Sequence, residues 1–128
     1  ISEILYKKKG TAKTFAIADA GMGDLIRPAL YQGHHEIVPI QNTSSQSETV
    51  DIVGPICESG DFFAQDQELP KLEEGEMIAI LSSGAYGFVM ASNYNSRTLP
   101  AEVLVSDKSH KLIRKRQTYE DLINGEDL

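Results

Sequence analysis

Two residues in the first third of the chain could hold an anionic ligand. Arg27 and Tyr31 are four residues apart in the segment 19–31, so one helical turn would put both side chains on one face. The planar guanidinium of an arginine matches a carboxylate with two parallel hydrogen bonds. From this spacing alone, a surface ion pair beside a packed tyrosine is the favoured interpretation.

Two further segments carry residue types suited to a binding site. In segment 54–61, Cys57 precedes Glu58 on a turn after an apolar run, where both could point into a cleft. Most free cysteines are small buried hydrophobes, and no histidine lies nearby in sequence to activate a cysteine nucleophile. In segment 82–88, small residues surround Tyr86, whose hydroxyl could bond a phosphate oxygen, although a strand connection with a core tyrosine fits equally well.

The sequence predicts no metal site. His34 and His35 are adjacent and would face opposite sides of a strand, and His110 stands alone. All three are therefore interpreted as structural or surface residues. The sequence also has no P-loop, no Gly-x-Gly-x-x-Gly and no Cys-x-x-Cys motif.

Composition narrows the classes of partner. The net charge is -7 and the isoelectric point about 4.9, which argues against nucleic acid and anionic membranes as partners. No apolar run approaches the length of a membrane span. Cys57 is the single cysteine, so an intrachain disulfide is excluded and a cytoplasmic location is favoured. The start at Ile1, without a signal-peptide pattern, suggests a piece of a longer chain.

The elements that must position these residues are mostly strands. Short apolar runs separated by Gly, Pro and polar punctuation predict an all-β, Greek-key-like barrel or sandwich. One helical turn is expected over 24–30, because Pro28 is tolerated in a first turn. Thr118 and Asp121 have the spacing of a capping box and Gly125 ends the pattern, which predicts a short C-terminal helix. The predicted strands are 4–6, 15–18, 36–40, 50–56, 77–81, 102–105 and 111–113, with a polar loop at 42–47.

Taken together and in order, four segments resemble the diaminopimelate decarboxylases. They read DAGMGDLIRPALYQGHH (19–35), VGPICESGDFFAQD (53–66), GEMIAILSSGAYGFVMASNYNSR (75–97) and PAEVLV (100–105). The resemblance covers nearly the whole chain, and four separate blocks in one order make it specific. One departure is Gly23, where many relatives have Asn.

The resemblance implies a two-domain enzyme of which residues 1–128 are the C-terminal β domain. The α/β-barrel domain, with the lysine that carries pyridoxal 5'-phosphate, has no counterpart in these residues. The implied reaction converts meso-2,6-diaminopimelate to L-lysine and CO2 in the cytoplasm, or in the plastid of a plant. The isolated 128 residues are expected to be inactive.

The resemblance also assigns roles to the residues singled out above. Arg27 and Tyr31 would bind the substrate, with Arg27 on a carboxylate. Cys57 and Glu58 would enter the active site of the second subunit of a homodimer, Glu58 beside the distal ammonium of the substrate and Cys57 near the reacting carbon as a proton donor. Tyr86 would bond the cofactor phosphate and border the substrate.

Two other interpretations remain open. Decarboxylases of the same fold act on ornithine or arginine, although Glu58 and the Arg27–Pro28 pair favour diaminopimelate. A non-catalytic interaction module is a different class of protein, against which the presence of all five site residues argues. A shared fold does not fix a function, so the site must decide among them.

Overall fold

The computed structural model describes residues 1–41 and 44–127. Within these residues eight strands account for most of the regular structure: β1 (Ser2–Lys9), β2 (Thr14–Ala18), β3 (Ile37–Pro39), β4 (Ser47–Val53), β5 (Phe62–Pro70), β6 (Met77–Ile80), β7 (Glu102–Ser106) and β8 (Ser109–Arg114). The helices are single turns: α1 (Arg27–Tyr31), α2 (Gly87–Met90), a 3₁₀ turn (Tyr94–Ser96) and α3 (Tyr119–Leu122).

Six of the strands form one nearly closed, barrel-like sheet in the order β3-β6-β1-β2-β4-β5, and β7 and β8 form a separate hairpin. The mainly β, barrel-like fold predicted from the sequence is confirmed. The C-terminal helix is confirmed as well, because the Thr118 backbone N–H donates to Asp121 Oδ2 at 2.7 Å in the predicted capping box.

Strand direction explains how distant segments reach one place. β2 and β4 are parallel, while β1 is antiparallel to both β2 and β6. β2, β4 and β6 therefore run the same way, and the segments that follow them leave the same end of the sheet. These are the three segments in which the sequence placed its candidate site residues.

The sheet is held by an apolar core, to which the connecting segments also contribute Leu25 and Leu72. Ile4, Ile52, Leu72 and Ile78 are fully buried and belong to one cluster. Replacing such a side chain by alanine typically costs about 2–5 kcal/mol, because a cavity remains. The core thus provides a stable frame from which the site segments project.

Two sequence predictions about strands need correction. The strand predicted over 50–56 ends at Val53, because the backbone N–H of Ile56 bonds the side chain of Asp61 instead of a neighbouring strand. The longest strand, β5, was not predicted at all. Of the loop predicted at 42–47, residues 42 and 43 lie outside the described residues, and Ser47 begins β4.

Candidate active site

The helical turn predicted around Pro28 is present as α1. The turn begins with Arg27 and has Pro28 in its first positions, where the missing N–H of proline costs no hydrogen bond. It ends at Gln32, whose φ of 54° is left-handed, and the Gly33 N–H closes it by donating to the Arg27 carbonyl at 3.1 Å. Arg27 is half-buried and Tyr31 is 61% exposed, so both side chains are accessible to a ligand.

The structure brings Arg27 and Tyr86 together from segments almost 60 positions apart. The guanidinium carbon of Arg27 lies 5.5 Å from the centroid of the Tyr86 ring, a distance at which the cation is attracted to the aromatic face. Tyr86 itself is 61% exposed and has a φ of 64°. A left-handed backbone is unusual for a bulky residue, and strained residues of this kind cluster at functional sites.

A buried aspartate that sequence reasoning missed ties two of the segments together. Asp61 is 3% exposed, and its two carboxylate oxygens accept the backbone N–H groups of Met22 and Ile56, both at 2.6 Å. Short, charge-assisted bonds of this kind are about twice as strong as neutral ones. The segment before α1 is thereby fixed to the turn that carries Cys57 and Glu58.

Cys57 and Glu58 are exposed on that turn. The Gly60 N–H donates to Glu58 Oε1 at 3.2 Å, and the Tyr94 hydroxyl lies 3.4 Å from Glu58 Oε2. The carboxylate is thus oriented from two sides. Sequence reasoning missed Tyr94, although it lies within the matched segment 75–97.

Glycines permit the close packing around this turn because they lack a side chain. Neither Gly54 nor Gly60 has a positive φ. A Cβ on Gly54 would lie 2.3 Å from the Asp61 oxygens, and a Cβ on Gly60 would lie 3.2 Å from the Met22 methyl group. Gly23, the one departure from the family pattern, similarly allows Ser92 to approach, since a Cβ there would lie 2.9 Å from the Ser92 carbonyl.

Not every candidate side chain meets the others. Among the described residues, Tyr31 and Cys57 make no hydrogen bond, ion pair or ring contact with Arg27 or Tyr86. The segments that carry these four residues nevertheless leave the sheet at the same end. Within the described ranges the structure has no group of three His, Cys, Asp or Glu residues placed to hold a metal ion.

One carboxyl group beside the site has a shifted pKa. Burial raises the pKa of Asp24 above its ordinary value of 3.8, because desolvation disfavours the charged form. The Gly21 N–H, which donates to Asp24 at 2.8 Å, and the charge of Arg97 act in the opposite direction.

Comparison with known proteins identifies the class to which this fold and site belong. Residues 1–84 match the family model described as the pyridoxal-dependent decarboxylase, C-terminal sheet domain. The chain therefore belongs to this family. Through residues 1–41 and 44–127, no helix has the length and apolar character that crossing a membrane requires.

Two curated relatives from different bacteria are both diaminopimelate decarboxylases. The chain is 49% identical over 123 residues to a diaminopimelate decarboxylase of Aquifex aeolicus, covering 96% of this chain and 29% of that protein. It is 48% identical to the diaminopimelate decarboxylase of Pseudomonas fluorescens, covering all of this chain and 30% of that protein. The chain thus spans less than a third of the length of the curated relatives it matches.

Solved structures show the same relationship. The chain superposes on the diaminopimelate decarboxylase of M. jannaschi with a TM-score of 0.95 and 42% identity, over 99% of this chain and 29% of that one. A structure of that enzyme with L-lysine superposes equally well. A lysine/ornithine decarboxylase from Vibrio vulnificus, at 20% identity and a TM-score of 0.65, shares the fold alone.

Proposed function

We propose that residues 1–128 are the C-terminal β domain of a two-domain diaminopimelate decarboxylase. The enzyme would convert meso-2,6-diaminopimelate to L-lysine and CO2 with pyridoxal 5'-phosphate, in the cytoplasm or a plastid. Two facts support this: relatives of 43–49% identity bear this name, and this chain matches less than a third of their length. The observation that carries the proposal is the Arg27–Tyr86 pair, 5.5 Å apart.

Arg27 and Tyr31 would bind the end of the substrate that does not react. Diaminopimelate carries an amino-acid group at each end, so the enzyme must choose which carbon loses its carboxylate. A guanidinium at a fixed position holds one carboxylate away from the reacting centre and so lets the other end react. The half-buried stem of Arg27 and the closed turn of α1 supply that fixed position.

Tyr86 and Arg27 fit a ligand that bears phosphate and carboxylate groups. An exposed phenol hydroxyl can donate to a phosphate oxygen, and the adjacent guanidinium provides positive charge. When bound, pyridoxal phosphate serves as the sink for the electrons that decarboxylation leaves on carbon. The lysine that carries the cofactor would come from the domain that this chain does not match.

Cys57 and Glu58 would act in the second subunit of a homodimer. Their exposure on a projecting turn leaves both side chains available to another chain. Glu58, oriented by Gly60 and Tyr94, would pair with the distal ammonium group. Cys57 would lie near the reacting carbon and return a proton to it. A site completed across a two-fold axis requires the dimer.

Two alternatives make different demands on these residues. An ornithine or arginine decarboxylase handles a substrate without a distal carboxylate, so a carboxylate-binding Arg27 would have no partner. An interaction module would need neither the Arg27–Tyr86 contact nor an oriented Glu58. The observed contacts therefore favour diaminopimelate as the substrate.

The test begins with the complete gene product. Its intact mass and its absorbance between about 300 and 500 nm, where protein-bound pyridoxal phosphate absorbs, should reveal a chain several times longer that holds the cofactor. Diaminopimelate, ornithine and arginine are then compared as substrates, and CO2 release is measured. We expect Arg27→Gln to raise KM for diaminopimelate on the order of a hundredfold, since it removes a charged bidentate contact.

Lys71→Gln is the control for loss of a positive charge, because Lys71 pairs with Glu73 just after β5, at the end of β4 away from the site. It should leave KM within about twofold, as for a surface ion pair. Turnover of ornithine in place of diaminopimelate would establish the first alternative. A mature product of only 128 residues with no absorbance band would establish the interaction module.

A further inference from the structure

His35 is a buried polar residue for which the proposed chemistry has no use. It follows α1 by four residues and directly precedes Glu36 and β3, and only 4% of its surface is exposed. Its Nδ1 lies 3.0 Å from the carbonyl oxygen of Leu81. A carbonyl can only accept, so Nδ1 carries the hydrogen and donates it.

Both backbone polar groups of Leu81 form hydrogen bonds with residues 35 and 36. The Leu81 N–H donates to the Glu36 carbonyl at 2.8 Å, and the Leu81 carbonyl accepts from the His35 ring. Leu81 directly follows β6 and begins the connection to Tyr86. The path of that connection is therefore set where it leaves the sheet.

The other side of His35 leads back to Arg27. The intervening chain is short and closed, because the Gly33 N–H donates to the Arg27 carbonyl at 3.1 Å. One short segment thus joins the backbone of Arg27 to the start of the connection that carries Tyr86. This segment therefore helps to place the Arg27 guanidinium 5.5 Å from the Tyr86 ring.

The second ring nitrogen of His35, Nε2, indicates that hydrophobic packing is not the reason for a histidine at this position. Nε2 is buried and has no hydrogen-bond partner among the described residues. Burying an unpaired polar nitrogen is unfavourable, and an apolar side chain would avoid that cost. What an apolar side chain could not supply is the hydrogen bond from Nδ1 to Leu81.

We propose that His35 is a positioning residue of the active site, which locks the Leu81–Tyr86 connection to α1 and so fixes Tyr86 against Arg27. This role rests on the proposed decarboxylase function only for its kinetic consequences. The hydrogen bond itself can be tested without any turnover.

The kinetic experiment uses two variants of the complete enzyme. His35→Asn keeps a donor nitrogen at the position of Nδ1, whereas His35→Gln extends its amide toward the position of Nε2 and loses that donor. We expect KM for diaminopimelate to rise on the order of tenfold in His35→Gln, with a smaller change in kcat, because misplacement of a binding group weakens substrate binding. KM of His35→Asn should stay within about twofold of the wild type.

Melting temperatures establish that each variant is folded at the assay temperature, although His35→Gln, which loses the bond to Leu81, should melt lower than His35→Asn. Equal KM values in the two folded variants would overturn the proposal. So would a wild-type-like KM in His35→Gln.

A spectroscopic arm remains decisive if the wild type decarboxylates nothing. The complete protein is labelled with ¹⁵N-histidine, and the signal that is lost in His35→Asn is assigned to His35. A hydrogen on Nδ1 supports the proposal even if the proposed reaction is wrong. A hydrogen found only on Nε2 overturns it.

Discussion

Two buried aspartates stand near opposite ends of the parallel pair β2–β4, and they are held in different ways. Asp51, 5% exposed, lies beside the start of β2, where Lys13 Nζ approaches its two oxygens at 3.0 and 3.3 Å and the Asp66 N–H donates to it at 2.6 Å. Asp61, 3% exposed, lies beyond the ends of both strands and has, in the described structure, backbone donors but no cation.

The difference separates stability from positioning. Lys13 is partly exposed and also pairs with Asp66 at 3.0 Å, so its contribution is screened by salt and small. The donors to Asp61 belong to the main chain of Met22 and Ile56, and they cannot move without moving the site segments. The charged cluster of Lys13, Asp51 and Asp66 therefore stabilises one end of the sheet. Asp61 instead fixes the positions of the site segments at the other end.

The sharpest test of this comparison is to make the same substitution at both aspartates. Asp61→Asn would turn an NH2 group toward one of two backbone donors and leave that donor unsatisfied in a buried place. We expect a loss of about 3 kcal/mol in the free energy of unfolding, together with a loss of most activity. Denaturant unfolding and substrate turnover of the complete enzyme measure the two effects.

Asp51→Asn is the matched control. Its remaining oxygen can still accept from Asp66, so the loss should be about 1 kcal/mol with KM unchanged. Equal losses of activity at the two positions would mean that the ends of the strand pair do not differ in function.

A second test adds one methyl group beside Asp61. Gly54→Ala would place a Cβ 2.3 Å from the carboxylate oxygens, which cannot withdraw without breaking their bonds to Met22 and Ile56. We expect a loss of about 2 kcal/mol and a raised KM. Gly84→Ala is the control for stability alone, because nothing lies within 4 Å of the added Cβ and the backbone has no positive φ; KM is not compared there, since Gly84 belongs to the site segment 82–88. An unchanged free energy of unfolding and an unchanged KM in Gly54→Ala would show that the turn tolerates displacement of Asp61.

These contacts mark the limit of what the sequence could predict. The local signals succeeded: Pro28 and Arg27 begin a helical turn, and Thr118 caps another. β5 was missed because Asp66, with a φ of 50°, interrupts the alternation that identifies a strand, and the pairing with β4 shifts register nearby.

The residues that organise the site were missed for a related reason. Asp61 acts on Met22, 39 positions away, and Tyr94 acts on Glu58, 36 positions away. Neither contact has a periodic signature, because each joins segments far apart in the sequence; the Asp61–Met22 contact depends on the parallel pairing of β2 with β4. The roles of Arg27, Tyr31, Cys57, Glu58 and Tyr86 came from the family resemblance and remain proposals.

A third test weakens the charged cluster itself. Lys13→Met removes the ammonium group that joins Asp51 to Asp66 and should lower the free energy of unfolding slightly at low salt. The loss should shrink at about 1 M salt, where charges are screened within a few ångströms. Unfolding at two salt concentrations measures it, with Lys71→Met, which removes a surface pair with Glu73, as the reference. A change in KM would contradict the assignment of this end to stability alone.

The smallest expected effect is a pH dependence at Asp24, beside the site. Burial raises the pKa of this group in the folded state above the ordinary 3.8, so the folded protein binds the proton more tightly than the unfolded chain does. Asp24 therefore favours folding at low pH, and this contribution is lost as the pH rises from 3.8 through the raised pKa. The free energy of unfolding of the wild type, minus that of Asp24→Asn, should fall across that window.

The subtraction removes the titration of the other acidic residues, which both proteins share. Asparagine keeps an oxygen that can accept from the Gly21 N–H, now 2.8 Å from Asp24, so the variant isolates the charge. A difference that rises with pH would mean that Gly21 and the charge of Arg97 outweigh burial. In that case charge would stabilise both ends of the β2–β4 pair, the end at Asp24 as well as the end at Asp51. The two ends would then differ only in the main-chain N–H groups that donate to Asp61.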